Sequence, residues 1–166
     1  MSFVHLHLHS QYSLLDGANR LDDVIGAAKA AGMPALALTD HGNLFGAIEF
    51  HDRARKQGIK PILGIEAYVA QGSHTERDPQ RGSSNHLVLL ARNQAGWKNL
   101  IQLTSRSFLE GYYYKPRIDH ALLRKHSEGL IGLSACLKGE INERIIGRRE
   151  AEAEVTARMY REILGE

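Results

Sequence analysis

Short apolar runs and helical periodicities alternate along this chain, and that alternation limits the folds open to it. "PALAL" (Pro34 to Leu38), "KPILGIEAYVA", "HLVLLA" and "GLIGLSAC" each read as strands. At the start, Phe3 to His9 alternates strictly. Val4, Leu6 and Leu8 fall on one face and His5, His7 and His9 on the other, the period of two that a strand imposes. Between these runs, Leu21, Val24, Ile25 and Ala28 keep helical spacing, with Gly32 placed as a C′ residue. Leu44, Ile48 and Ala54 mark a second helix closed by Gly58, and Trp97, Leu100, Ile101 and Thr104 one side of a third. A short helix follows near Ala121 to Lys125, and two helical segments finish the chain. Residues 71–84, polar and rich in breakers, read as a mobile loop. The pattern predicts an α/β fold with parallel strands joined by helical crossovers. It does not separate an open sheet from a barrel.

With 166 residues the chain can build one domain around a real core. A net charge of +2 gives no global basic field, so nucleic-acid binding is neither implied nor excluded by charge. Basic residues gather between Lys115 and Arg124, most simply as a solvated face. The single cysteine, Cys136, leaves no internal disulfide and fits a reducing cytoplasm. Neither a signal peptide nor a membrane span is expected. The last segment reads as helical to its end, which is how a fragment would stop.

The chemistry-bearing residues cluster by position. His7 and His9 end the first expected strand, Asp40 and His41 follow the second, Glu66 lies late in the third, and Cys136 ends the fifth. Function in α/β folds gathers at the carboxyl ends of strands. His86 is the exception: it begins its run, which among parallel strands puts it at the opposite end, unless the strand boundary lies elsewhere or the residue reaches the rim from a loop. Imidazole, carboxylate and thiolate are ligands of zinc and other first-row divalent metals. A His-x-His pair spans about 7 Å along a strand, so both rings can converge on one ion or each can hold one of two neighbours. Two ions roughly 4 Å apart suit phosphate-ester hydrolysis. Each residue also has a bland explanation: Asp40–His41–Gly42 and Asp16–Gly17 as turns, Glu66 as an arginine partner, Cys136 as a small core residue. Together these need several coincidences at one rim, where a metal site needs one cause. His5 lies deeper in its strand and reads as core packing or a supporting hydrogen bond. His51, His74, His120 and His126 read as solvated or local.

"HLHLHSQYSLLDG", "LALTDHGNLFG", "KPILGIEAYV", "NHLVLLARNQAGWKNL", "GYYYKPRID" and "GLIGLSACLKGEI", in this order, resemble the PHP (polymerase and histidinol phosphatase) family. The resemblance covers nearly all of residues 1–166 as one PHP domain. "YSLLDG", "YYYKPRI" and "LSACLKGEI" are its narrow motifs, and they point to the amino-terminal PHP domain of bacterial DNA polymerase III alpha subunits. It implies a distorted (β/α)7 barrel, here partial, with two to three divalent ions (zinc, manganese or iron) at its rim. By motif, the implied metal ligands are His7, His9, Asp16, His41, Glu66, His86 and Cys136, with Asp40 supporting His41. A final Asp-x-His pair of the family has no counterpart here. The implied parent is a DNA-directed DNA polymerase of the bacterial cytoplasm with a metal-dependent 3′–5′ exonuclease site. Its partners would be a DNA 3′ end, the sliding clamp and a separate proofreading exonuclease subunit. Lys115 and Arg117 are candidate phosphate contacts. The rival expectations are a scaffold domain without catalysis and a PHP phosphomonoesterase.

Overall fold

The computed structural model describes residues 3–79 and 83–165. Its elements follow in the order α1 (Leu21–Ala30), β1 (Ala35–Leu38), α2 (Ala47–Lys56), β2 (Lys60–Ala70), β3 (Ser84–Ala91), α3 (Gln94–Leu109), β4 (Tyr112–Tyr113), β5 (Lys115–Ile118), α4 (His120–Lys125), β6 (Leu130–Leu133), α5 (Glu140–Ile146) and α6 (Glu150–Leu164). The long strand β2 organises the sheet. One of its edges takes β1 in parallel, Ala35 opposite Lys60, and further along takes β5 in parallel, Tyr68 opposite Arg117. The other edge takes β3 antiparallel, from Gly64 opposite Leu90 to Ala70 opposite Ser84, and β3 then pairs antiparallel with β6.

The sheet is therefore mixed, which overturns the expectation of parallel strands throughout. Residues 71–83 hold no crossover helix among those described, and a strand that returns without one pairs antiparallel. The sheet is not closed into a barrel among the described residues. Part of the expected mobile loop, residues 80–82, lies outside the described residues. Its first half is pinned: the Arg117 guanidinium donates to the His74 and Glu76 carbonyls at 3.0 and 2.6 Å.

The expected strand at Phe3 to His9 is irregular. It runs beside β1, with the Ala37 and Thr39 N–H groups donating to the His5 and Leu8 carbonyls. The Leu8 N–H turns to Thr39 Oγ1 instead of a backbone carbonyl, which interrupts the ladder. Leu6 is consequently exposed, while Leu8 packs on the core of α1 and α2. The hairpin of β4 and β5 has no counterpart in the sequence pattern. β6 stops at Leu133, short of Cys136, because Ala135 takes a left-handed backbone (φ 59°) that turns the chain.

The helices follow their apolar stripes with small shifts. α1 buries Leu21, Ile25 and Ala28, and Gly32 beyond it has φ 69°, as a C′ glycine should. α2 begins after Leu44 and turns Ile48 to solvent, with Phe50 as its anchor. α3 buries Leu100 and Leu103 rather than Ile101. Asn93 caps α3 by accepting from the Gly96 N–H, and Asp119 caps α4 by accepting from the Leu122 N–H.

Side-chain alternation along β2 and β3 gives the sheet two unlike faces. On one, Ile65, Ala67, Val69, Leu87 and Leu89 join Leu100 and Leu103 of α3, Leu123 of α4 and Ile163 of α6 in the main core. Burying each of the valine, isoleucine and leucine side chains contributes about 1.5–3 kcal/mol, which fixes the strand's facing. On the other face Glu66 sits opposite Val88, and Tyr68 opposite His86. Here the small apolar cluster of Ala37, Val88 and Leu90 gives way to polar side chains. No helix among the described residues is long and apolar enough to cross a membrane.

Candidate metal centre

Glu66 is the middle of the site. It projects from the inner face of β2 and is 1% exposed. His86 reaches it at 2.9 Å, Nδ1 to Oε1. The antiparallel course of β3 brings the beginning of that strand beside the far half of β2, so the expected placement of His86 at the opposite end is overturned. From the other edge, the chain leaving β1 bonds to the same strand: the Glu66 N–H donates to the Asp40 carbonyl and the Gly42 N–H to the Glu66 carbonyl. This sets His41 Nδ1 2.8 Å from Glu66 Oε2. Gly42 has φ 62°, and a Cβ there would fall 2.8 Å from Pro116 and 3.0 Å from the Tyr68 ring, so only glycine fits beside His41. The amino-terminal segment completes the group, with His7 Nε2 3.4 Å from Oε1 and His9 Nε2 3.2 Å from Oε2.

A buried carboxylate thus meets four imidazoles. Burial works to raise its pKa, but His41, His7, His86 and His9 outweigh burial and hold it far below the usual carboxylate range. The Glu66 carboxylate, against burial, raises that of His41, helped by Asp16. Tyr68, stacked 5.9 Å from His41 and edge-on to His86, is pushed up to about 12 by burial and the nearby Glu66 and Asp16 charges.

Two triads, His7–His9–Glu66 and His41–Glu66–His86, each bring their ligand atoms within 4.8 Å of one another and share Glu66. His7 Nε2, His41 Nδ1 and Glu66 Oε2 are buried and make no hydrogen bond among the described residues, although they face one another. Buried polar atoms are ordinarily satisfied, and imidazole and carboxylate atoms converging this closely are what a cation completes. The donor set of imidazole and carboxylate fits a divalent first-row metal.

The other expected ligands lie at the margin. Asp16 Oδ2 is 3.0 Å from His41 Nε2 on an exposed side chain. Cys136 is exposed rather than buried in a strand, with Sγ 3.5 Å from His86 Nδ1. Asn142 holds its loop by donating to the Ser134 and Cys136 carbonyls at 3.1 and 2.8 Å. Asp40 supports its neighbour indirectly. Fully buried, it accepts from the Ser10 N–H, Ser10 Oγ and Ser13 Oγ at 2.7, 2.8 and 2.7 Å. Ser13 Oγ in turn accepts from the His41 N–H at 3.0 Å, so Asp40 holds His41 through the backbone rather than through the ring. Sequence reasoning missed Ser10, Ser13 and Tyr68. The two serines three apart, directly after His9, were the available signal for a turn that needs side-chain partners.

Lys115 is exposed, with Nζ 5.2 Å from the Tyr68 ring centroid. Arg117 is a correction. It is 3% exposed and spends its guanidinium on the carbonyls of Gly111, His74 and Glu76, so it cannot serve as a phosphate contact. His5 is exposed against Phe3 and takes neither expected role. His51 is local, beside Asp52. His74 and His120 are not merely local: His74 pairs with Asp119 at 2.6 Å and His120 with Glu140 at 2.9 Å, both across the fold.

Known proteins share this sequence closely. The chain is 52% identical over 165 residues to the DNA polymerase III subunit alpha of Borreliella burgdorferi, covering 98% of this chain and 14% of that protein. It is 50% identical over 167 residues to that of Treponema pallidum, covering 99% of this chain and 14% of the relative. This chain therefore spans about one seventh of the length of these curated relatives. Among solved structures, an amidohydrolase from Chromobacterium violaceum matches at 31% identity and a TM-score of 0.45, over 61% of this chain and 32% of that one. The PHP domain model matches residues 5–166, and the chain belongs to the PHP domain family.

Proposed function

We propose that this chain is the amino-terminal PHP portion of a bacterial DNA polymerase III alpha subunit, and that its centre hydrolyses phosphodiester bonds at a DNA 3′ end. The observation that carries this reading is the buried Glu66 carboxylate among His7, His9, His41 and His86, with Asp16 and Cys136 at its edge. The residues at all seven of these positions are ones that ligate divalent metals. Two to three ions of zinc, manganese or iron fit such a set, Cys136 favouring zinc and the carboxylates manganese or iron. When bound, such ions activate water and neutralise charge on the phosphate. The chain's own residues orient the site. Asp40 and Ser13 fix the backbone of His41, Tyr68 packs against His41 and His86, and Asn142 holds the Cys136 loop.

The open, mixed sheet is the part of a distorted (β/α)7 barrel that residues 1–166 supply. In the cytoplasm the longer polypeptide would meet DNA, the clamp and a proofreading exonuclease subunit. The test uses that polypeptide. Metal analysis should find at least one ion per chain, and His9→Ala should abolish trimming of a mismatched primer while polymerisation continues. Equal trimming by both proteins would remove the nuclease. A content well below one ion per chain would favour a scaffold, and phosphate release from histidinol phosphate a phosphomonoesterase.

A further inference from the structure

We propose that the cleft beside Glu66 binds an unpaired nucleotide, its base stacked on an aromatic wall and its phosphates met by Lys115 and Lys138. The inference rests on the phosphodiesterase reading for its purpose, though not for its test. The cleft has a volume of about 480 Å³, within the range of small-molecule sites. One wall is formed by Asp16, His41 and His86, so anything bound there lies against the candidate metal centre.

The same cleft is lined by aromatic rings, Phe45, Phe108, Tyr112 and Tyr114. Phe45 and Phe108 have ring centroids 6.2 Å apart, and Phe108 and Tyr112 stack at 6.2 Å with planes 26° apart. Phe45 is 64% exposed and Tyr114 77% exposed. Rings left this open in a contiguous patch mark a binding surface. Tyr114 adds an independent sign. It sits between β4 and β5 with φ 57°, a left-handed conformation that glycine would adopt without strain. A bulky ring retained at such a position is strain kept where the ring is used.

Charge selects the occupant. Lys115 and Lys138 are exposed and line the same cleft. The Lys138 carbonyl accepts from the His86 N–H, which ties that lysine to the strand bearing a candidate ligand. Aromatic faces beside cations are what single-stranded nucleic acid requires, because an unpaired base offers a free π-face and each linkage carries a negative charge. An apolar protein segment would use the rings but not the lysines beside a carboxylate–imidazole centre.

The experiment measures binding of a fluorescent oligodeoxythymidylate to the 166-residue chain in EDTA, so that no cleavage intervenes. The single strand should bind more tightly than a blunt duplex. Tyr114→Gly, which suits the local backbone, should weaken binding roughly 5- to 100-fold, and Tyr114→Phe should restore it to within about twofold. Phe108→Ser, checked for an intact thermal transition, should show a loss of the same order. Lys115→Met with Lys138→Met should flatten the log–log salt dependence by about 0.7 for each phosphate that is no longer neutralised. Unchanged affinity in Tyr114→Gly and Phe108→Ser, as expected were the cleft a seat for a protein segment, would overturn the proposal. Equal binding of blunt duplex would do the same. Binding with this pattern but no metal-dependent cleavage would sink only the phosphodiesterase reading; cleavage without the pattern would sink only this one.

Discussion

Glu66 Oε1 and His86 Nδ1 lie 2.9 Å apart on neighbouring strands that run in opposite directions. Glu66 faces Val88 directly, and His86 faces Tyr68, two residues further along β2 on the same side of the sheet. This diagonal pairing puts an imidazole on a carboxylate that three other imidazoles reach from the opposite edge. Both edges of β2 and an amino-terminal segment therefore meet on one side chain.

Glu66→Gln removes the one group common to both triads. We expect metal content, measured by elemental analysis, to fall by at least about tenfold at limiting metal, and with it any 3′-end trimming that the longer polypeptide proposed above carries out. A variant that keeps its full complement of ions would show that the imidazoles suffice without the carboxylate.

Asp40→Ala leaves the Ser10 N–H and the Ser10 and Ser13 hydroxyls without their acceptor in a buried turn. Each unsatisfied buried donor costs about 1–3 kcal/mol, so unfolding in urea should lose at least about 2 kcal/mol. Ser13→Ala should cost less but should still weaken metal binding, because the His41 N–H loses its partner. Metal affinity unchanged in Ser13→Ala would detach this turn from the centre.

Acid should act on a second carboxylate, Glu140, which accepts from Tyr160 Oη at 2.7 Å and lies 2.9 Å from His120. Burial raises its pKa, but His120, Tyr160 and Arg144 outweigh that and hold it at about 2, from an ordinary 4.5. A folded pKa below the unfolded one means the ionised carboxylate stabilises the fold. That contribution is complete above pH 4.5 and is lost as pH falls towards 2. The urea midpoint of the wild type should drop across that window. Glu140→Gln should start lower at neutral pH and fall less steeply. Parallel curves for the two proteins would assign the acid sensitivity elsewhere.

Arg117 and Lys115, two residues apart, should behave oppositely. Arg117→Met removes the buried guanidinium that ties the carbonyls of Gly111, His74 and Glu76 together and should destabilise by about 2–4 kcal/mol. Lys115→Met should change stability by no more than about 0.5 kcal/mol. Chemical denaturation of both variants decides it, and equal losses would refute the division of roles.

Much of the site was legible because its cues are local. The His7–His9 alternation, the Asp40–His41–Gly42 turn after an apolar run, and Glu66 within β2 need only side-chain periodicity and the end of a strand. What misleads is direction. An apolar run such as "HLVLLA" carries no mark of which way its neighbour runs, so the pattern alone puts His86 at the wrong end of the sheet. Arg117 misleads for a related reason: the carbonyls that absorb its guanidinium belong to residues up to 43 positions away.

By itself the sequence determined the apolar runs that become β1, β2, β3 and β6, the apolar stripes of α1 to α4, and the family to which the chain belongs. These rest on interactions between residues close in the chain, repeated at fixed periods. Only the tertiary structure decided that β3 returns antiparallel, that Asp40 works through Ser13, and that a single carboxylate gathers four rings. Those outcomes depend on which distant backbone groups pair and which buried donors find acceptors, and both are settled when the faces of the sheet pack.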